Sequence, residues 1–303
     1  MRARITLAAV TVAAALAVAG CSSSGGDSGT DNPVVNTSAA SSPTTSSPTT
    51  SAAASCSPST LKTHSSGTLT VATDSPAYEP WFVDNKPANG KGFESAVAYA
   101  VAKQLGYSTA QVKWTVAPFN SVIAPTPKKY DFDINEVSIT TARAKAVDFS
   151  SGYYDVAQAV VMFKKDKYSS ATTIAGLKGA KLGAQQGTTS FAAIGSQLKT
   201  GKTPGEFPTN DLAVQALKNG QIDGLVVDLP TGLYLTSAEL SGAKIVGQLP
   251  VTGKPEQFGL VLDKGSSLTS CVTKAVDSLR ADGTLATLQQ TWLTSSAGAP
   301  ELK

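Results

Sequence analysis

Chemistry in this chain has to come from a small set of residues. The segment SITTARAKAVDFS (138–150) holds one arginine, Arg143, behind a run of small hydroxyl side chains. A guanidinium offers a carboxylate two parallel donors, a geometry that lysine cannot reproduce. Arg143 is therefore either an anion holder or an ordinary solvated helix charge. Asp74, Tyr78, Phe119, Ser138, Thr188 and Asp228 all fall at the carboxyl ends of predicted strands or in the turns just beyond. In open α/β sheets ligands bind at such strand ends. The competing reading is that the Asp and Thr residues merely cap helices there, and only convergence in space makes a site. His64 is the only histidine and sits in a polar lead-in without a His or Cys cluster. No metal, cofactor or His-based triad is expected.

The elements that must position these residues are legible as hydrophobic patterns. GTLTVATD (67–74) alternates apolar and polar residues before a turn, which predicts a strand delivering Asp74 and Tyr78 to its tip. Phe93, Val97, Val101 and Leu105 stand four apart and predict an amphipathic helix that stops at Gly106. VKWTVA (112–117) is the next strand, with Phe119 at its end, and Pro125 and Pro127 disturb the helical stretch that follows. DFDIN (131–135) is a third strand and runs into the arginine motif.

After an extended apolar run at 153–165, a short strand within 180–198 enters a Gly-Thr-Thr turn and then a helix. Thr188 and Thr189 there add backbone N–H groups and the positive end of the helix dipole. Asn210 or Asp211 caps a helix ended by Gly220, and GLVVD is a buried strand finishing on Asp228. Two further strands and two closing helices follow. Alternating strands and helices predict an α/β architecture with largely parallel sheets covered by helices.

The ends and the composition bound the setting. Arg2 and Arg4 precede an apolar run from Ile5 to Ala19, too short for a membrane span of about 20 residues, and Val18-Ala19-Gly20-Cys21 follows. Residues 1–20 read as an export signal, and the last four resemble a bacterial lipobox, in which Cys21 becomes the lipidated first residue. Residues 21–59 are dominated by Ser, Thr, Ala, Gly and Pro, which predicts a disordered tether with a reach of ~30 Å. The chain holds 25 basic and 22 acidic side chains, two of the basic ones in the leader. That near-neutrality argues against nucleic acid, which draws on a concentrated basic face. Cys56 and Cys271 remain as an even pair in an exported chain and read as a disulfide, the alternative being two separate buried thiols.

The order of the motifs carries a family resemblance. GTLTVATDSPAYEPW, GKGFESAVAYAVAKQLG, SITTARAKAVDFSSGYYD, LKGAKLGAQQGTTS, ALKNGQIDGLVVDLPTGLYL and ADGTLATLQQTWL resemble the solute-binding proteins of polar amino acid ABC transporters, from about Gly67 to Leu293. The resemblance implies a two-lobed periplasmic-binding-protein-like type II fold: two α/β lobes joined by crossing hinge strands, lobe 1 at 60–156 and 258–303, lobe 2 at 157–257. It implies a free amino acid in the cleft, closed upon by hinge motion. Arg143 matches the arginine that pairs with the ligand α-carboxylate, and Asp228 the aspartate that takes the α-ammonium. Ser138 and Thr188 match hydroxyl and backbone contacts to those groups, while Tyr78 and Phe119 match aromatic walls.

This chain departs from the family where it has Asp133, Asn135 and Glu136. Together with Asp74, the two extra acids suit a ligand with a cationic or amide side chain; the alternative is that Asp133 and Glu136 face solvent or pair with Lys128 or Lys129. The expected role is a non-enzymatic, monomeric binding lipoprotein on the outer face of the cell membrane, passing its ligand to an ABC permease. A dehydratase of the cyclohexadienyl or arogenate kind, with Glu136 as the acid, is the alternative on the same fold.

Overall fold

The computed structural model describes residues 56–251, 253–293 and 299–303. The leader, Cys21 and the tether as far as residue 55 lie outside the described residues. Ten strands are formed among them: β1 (Leu69–Thr73), β2 (Val112–Val116), β3 (Phe132–Asp133), β4 (Asp148–Val156), β5 (Gln158–Phe163), β6 (Leu182–Gln185), β7 (Gly205–Phe207), β8 (Gly224–Asp228), β9 (Ala243–Gln248) and β10 (Glu256–Leu262). They make two five-stranded sheets, ordered β2-β1-β3-β10-β4 and β7-β6-β8-β5-β9. The extended run at 153–165 is thus two strands of different sheets. The chain crosses to the second lobe between Val156 and Gln158 and returns between Gln248 and Glu256.

The sheets are more mixed than the alternating pattern suggests. β1 runs parallel to β2 and β3, but β10 is antiparallel to both β3 and β4. Likewise β6 is parallel to β7 and β8, whereas β5 is antiparallel to β8 and β9. The cause is the crossover: β5 and β10 enter their sheets from the opposite lobe and so run against the strands built by local βαβ connections, which are obliged to be parallel.

The first lobe packs around aromatic rings. Trp81 lies 6.0 Å from Phe93, 5.5 Å from Tyr154 and 5.6 Å from Phe258, centroid to centroid. Edge-on contacts of this kind add to the burial of large apolar area. The helix Phe93–Gln104 buries Phe93, Val97 and Val101 against this core, and Leu105 closes it before Gly106. The second lobe is aliphatic on both faces of its sheet. Val160 and Met162 face one core with Leu182 and Val226; Val161 faces the other with Leu225 and the helix Asn210–Lys218. The alternation of neighbouring β5 residues between two cores follows from the strand period of two.

Several local expectations change. Thr209, not Asn210 or Asp211, caps the helix Asn210–Lys218, its Oγ1 accepting from Leu212 N at 3.3 Å. Residues 57–60, mostly counted with the tether, form a turn in which Leu61 N donates to Ser57 O at 3.0 Å. The final residues join the second lobe instead of the first: Leu302 is buried in its core, and Leu302 N donates to Gln248 O at 2.9 Å on the β9 edge. A single apolar side chain between Glu301 and Lys303 gives no pattern for sequence reading to follow. Cys56 and Cys271 are bonded, with a Cα–Cα separation of 5.5 Å. The bridge fastens the start of the first lobe to the helix Thr269–Ala281.

Candidate functional site

All nine residues singled out for ligand binding line one cavity between the lobes, joined by Gln185, Thr189 and Asn210. The reason is topological. β1, β6 and β8 end at Thr73, Gln185 and Asp228, so the turns that follow meet across the cleft. The enclosed space is about 40 Å³, and since one water needs ~10–15 Å³ by the same measure, the lobes are closed tightly. Direct bonds hold that closure. Trp81 Nε1 donates to Thr231 Oγ1 at 2.8 Å, and Thr231 Oγ1 donates onward to Glu136 Oε2 at 2.9 Å.

Arg143 is 9% exposed, so it is not a solvated helix charge. Its Nη1 donates to Ser138 O at 2.7 Å and its Nη2 to Gly187 O at 2.8 Å, one carbonyl from each lobe. Its Cζ lies 5.3 Å from the Phe119 ring centroid, a cation–π distance. Burial lowers its pKa, and the neighbouring Glu256 and Asp228 oppose that shift. A guanidinium has five N–H donors, so two carbonyl bonds leave donors for an anion. Gly187 is needed for this arrangement: its φ is +74°, and a Cβ there would stand 2.8 Å from Asn120 Oδ1.

Carboxyl groups dominate the rest of the wall. Asp228 occupies the position before the helix Leu229–Tyr234 yet makes no capping bond, so the cap reading does not hold for it. Its Oδ1 accepts from Gln158 Nε2 at 2.6 Å, and burial followed by the nearby Glu256 pushes its pKa up to about 8. Asp74 accepts from Ser75 N at 2.7 Å and from Phe119 N at 3.3 Å, and burial still raises its pKa. Glu136 sits at φ +52°, a left-handed conformation rare for a side-chain-bearing residue. That twist turns its carboxyl into the cavity, where burial, then Glu94 and Asp228, raise its pKa well above the usual range. Asp133 is fully buried behind the wall with both carboxyl oxygens unpartnered. Neither acid faces solvent or pairs with a lysine; Lys128 Nζ instead donates to Ser121 O and Ala124 O, each at 2.7 Å.

The hydroxyl contacts are distributed differently from the expectation. Thr188 caps the helix Thr189–Ala193: its Oγ1 accepts from Phe191 N at 3.0 Å and donates to Gln185 O at 2.6 Å. Its proton is therefore already committed. Tyr78 and Phe119 are cavity walls, and burial raises the Tyr78 phenol. Asn135 also faces the cavity, with its Nδ2 buried and unpartnered.

Sequence reading did not single out Glu94, Gln158, Thr231 or Glu256. Glu94 is fully buried in the helix Phe93–Gln104, where Tyr153 Oη and Glu136 N, the latter at 2.8 Å, donate to its Oε1. One signal existed for Gln158, the lone polar residue in the apolar run VAQAVV. Glu94 sits beside the apolar stripe, where a charge looks like ordinary helix surface. Among the described residues no group of His, Cys, Asp or Glu could hold a metal ion.

This geometry, with an arginine and an aspartate held across a two-lobed cleft, coincides with a match of residues 69–295 to the model of bacterial extracellular solute-binding proteins, family 3. The chain belongs to this family. Its relatives include ABC transporter arginine-binding protein 1 of Escherichia coli (strain K12), 32% identical over 66% of this chain and 81% of the relative. L-cystine-binding protein TcyJ of the same strain is 29% identical over 76% of this chain and 84% of its own length. Among solved structures, an ancestral arginine-binding protein bound to arginine shares 34% identity, with a TM-score of 0.63 over 75% of this chain and 98% of that one. This solute-binding protein thus has the type II periplasmic-binding-protein fold, and the relatives named are binding proteins, not enzymes.

Proposed function

We propose that this solute-binding protein takes a free α-amino acid with a cationic side chain and delivers it to the permease of an ABC importer. The observation that carries the reading is the make-up of the wall: three carboxyl groups, of Asp74, Glu136 and Asp228, against a single guanidinium, Arg143. A zwitterion with a cationic side chain brings one carboxylate and two cations. Its carboxylate pairs with Arg143, its ammonium with Asp228, and its side chain with Asp74 and Glu136. Each lobe alone supplies part of these partners, so the ligand favours closure. Relatives named for arginine binding agree with this assignment. A dehydratase role for Glu136 is the weaker reading, since its carboxyl is engaged by Thr231 and set against an ammonium-binding aspartate.

The anchor belongs to the same proposal. A lipid on Cys21 and the Ser/Thr-rich tether hold a monomeric binding head at the outer face of the membrane within reach of the permease. Replacing Cys21 with Ser is expected to release the protein into the medium.

A thermal-shift screen of the common amino acids tests the ligand class. A ligand at 100 times its Kd adds ~2.7 kcal/mol, which at ~2–4 °C per kcal/mol for a chain of this size is a rise of about 5–10 °C. Arginine or lysine should give that rise and glutamate should not. No response to any cationic amino acid overturns the proposal.

A further inference from the structure

Glu256 does not line the cleft, yet it reaches two residues that do. It opens β10 on the returning crossover, where it pairs with Val156, and its side chain borders the space behind the hinge. Ser138 Oγ donates to Glu256 Oε1, and Thr189 Oγ1 donates to the same oxygen at 2.6 Å. Ser138 stands in the first lobe, bridged to Phe258 of β10, and Thr189 begins a helix of the second. Gln158, on the outgoing crossover, completes the cluster. Its Nε2 donates to Asp228 Oδ1 at 2.6 Å and lies 3.4 Å from Glu256 Oε1 and 3.5 Å from Thr189 Oγ1.

A hydroxyl has one proton and two lone pairs. Once Ser138 and Thr189 have given their protons to Glu256, what each can turn toward the cavity is a lone pair. Both oxygens then act as acceptors beside Asp228, a lining suited to an ammonium and unsuited to a carboxylate. We infer that Glu256 is a positioning residue of the binding site: by accepting both hydroxyl protons from behind the cleft, it makes Ser138 and Thr189 acceptors for the α-ammonium of the ligand. The α-carboxylate is left to Arg143. The inference rests on the amino acid reading above and refines it by dividing the polar contacts between the two ends of the ligand.

The test compares two uncharged replacements, Glu256→Gln and Glu256→Met, which differ in whether an acceptor oxygen remains. Binding of arginine and of its deaminated analogue, 5-guanidinopentanoate, is measured by calorimetry for each. With the acceptor gone, the hydroxyl protons are free to face the ammonium. The preference for arginine over the analogue should then be about tenfold lower in Glu256→Met than in Glu256→Gln, as expected for one hydrogen bond to a charged group. Equal preference in the two variants overturns the inference while leaving the function standing. A wild-type chain that binds neither probe overturns the function and the inference together. Should Glu256→Met fail to fold, Thr189→Val removes one of the two acceptors directly, and an undiminished preference for arginine in that variant is equally fatal.

Discussion

Glu94 offers a stringent test of the electrostatics under the cleft. It is fully buried, its Oε2 has no partner, and Asp133, Glu136 and Tyr153 crowd around it. Burial raises its pKa to about 7 against an ordinary 4.5, with the bonds from Tyr153 and Glu136 N pulling the other way. Holding the proton that far above the ordinary range is worth roughly 3 kcal/mol. The sign follows from proton counts. Between pH 4.5 and 7 the unfolded chain has lost this proton and the folded chain has kept it, so stability falls as pH rises and levels off above 7.

Glu94→Gln removes that titration while keeping an acceptor for Tyr153 and Glu136 N. Relative to the wild type, the variant should therefore gain about 2–3 kcal/mol in ligand-free stability on going from pH 5 to pH 8. Chemical denaturation at the two pH values measures the difference directly, and ionisations of residues common to both proteins largely cancel. A stability difference between variant and wild type that is the same at pH 5 and pH 8 would refute the account of Glu94 as a proton-holding buried acid.

Other outcomes follow from the same geometry. Arg143→Met should weaken binding of a cationic amino acid by about 2–5 kcal/mol, because the ligand carboxylate is left buried and unpaired; isothermal calorimetry reads this as a loss of at least thirtyfold. Asp228, with its pKa raised to about 8 by burial and then by Glu256, holds a proton at neutral pH that a bound ammonium displaces. Affinity for arginine should accordingly rise from pH 6 to pH 8, and binding heats in buffers of different ionisation enthalpy should show proton release. Replacing both Cys56 and Cys271 with Ser opens a loop of 215 residues and should cost about 2–5 kcal/mol of stability, whereas equal melting temperatures with and without reductant would show that the bridge constrains little.

Much of the site was readable because its residues sit where local patterns end. Asp74, Phe119, Thr188 and Asp228 close strands or open helices, and those boundaries are written in short-range periodicity and turn chemistry. Arg143 was readable as a choice between an anion holder and a solvated charge, and the motif order favoured the holder. Its burial and its two carbonyl partners exclude the solvated charge. The antiparallel placement of β5 and β10 was not readable, since strand direction across a crossover depends on which lobe receives the chain, and no local pattern encodes that.

The sequence by itself determined the alternation of elements and the polar and aromatic residues at strand ends, and it offered Cys56 and Cys271 as a candidate pair once Cys21 is set aside for lipid. Only tertiary structure decided the fate of the acids and hydroxyls. Asp133 and Glu136 are neighbours in the chain, yet one is sealed in the core and the other turned into the cleft by a positive φ. Glu94, Gln158 and Glu256 reach the site from distant segments. Whether a carboxyl is charged, and whether a hydroxyl donates or accepts, depends on which groups surround it in three dimensions, and those neighbours come from the folding of both lobes together.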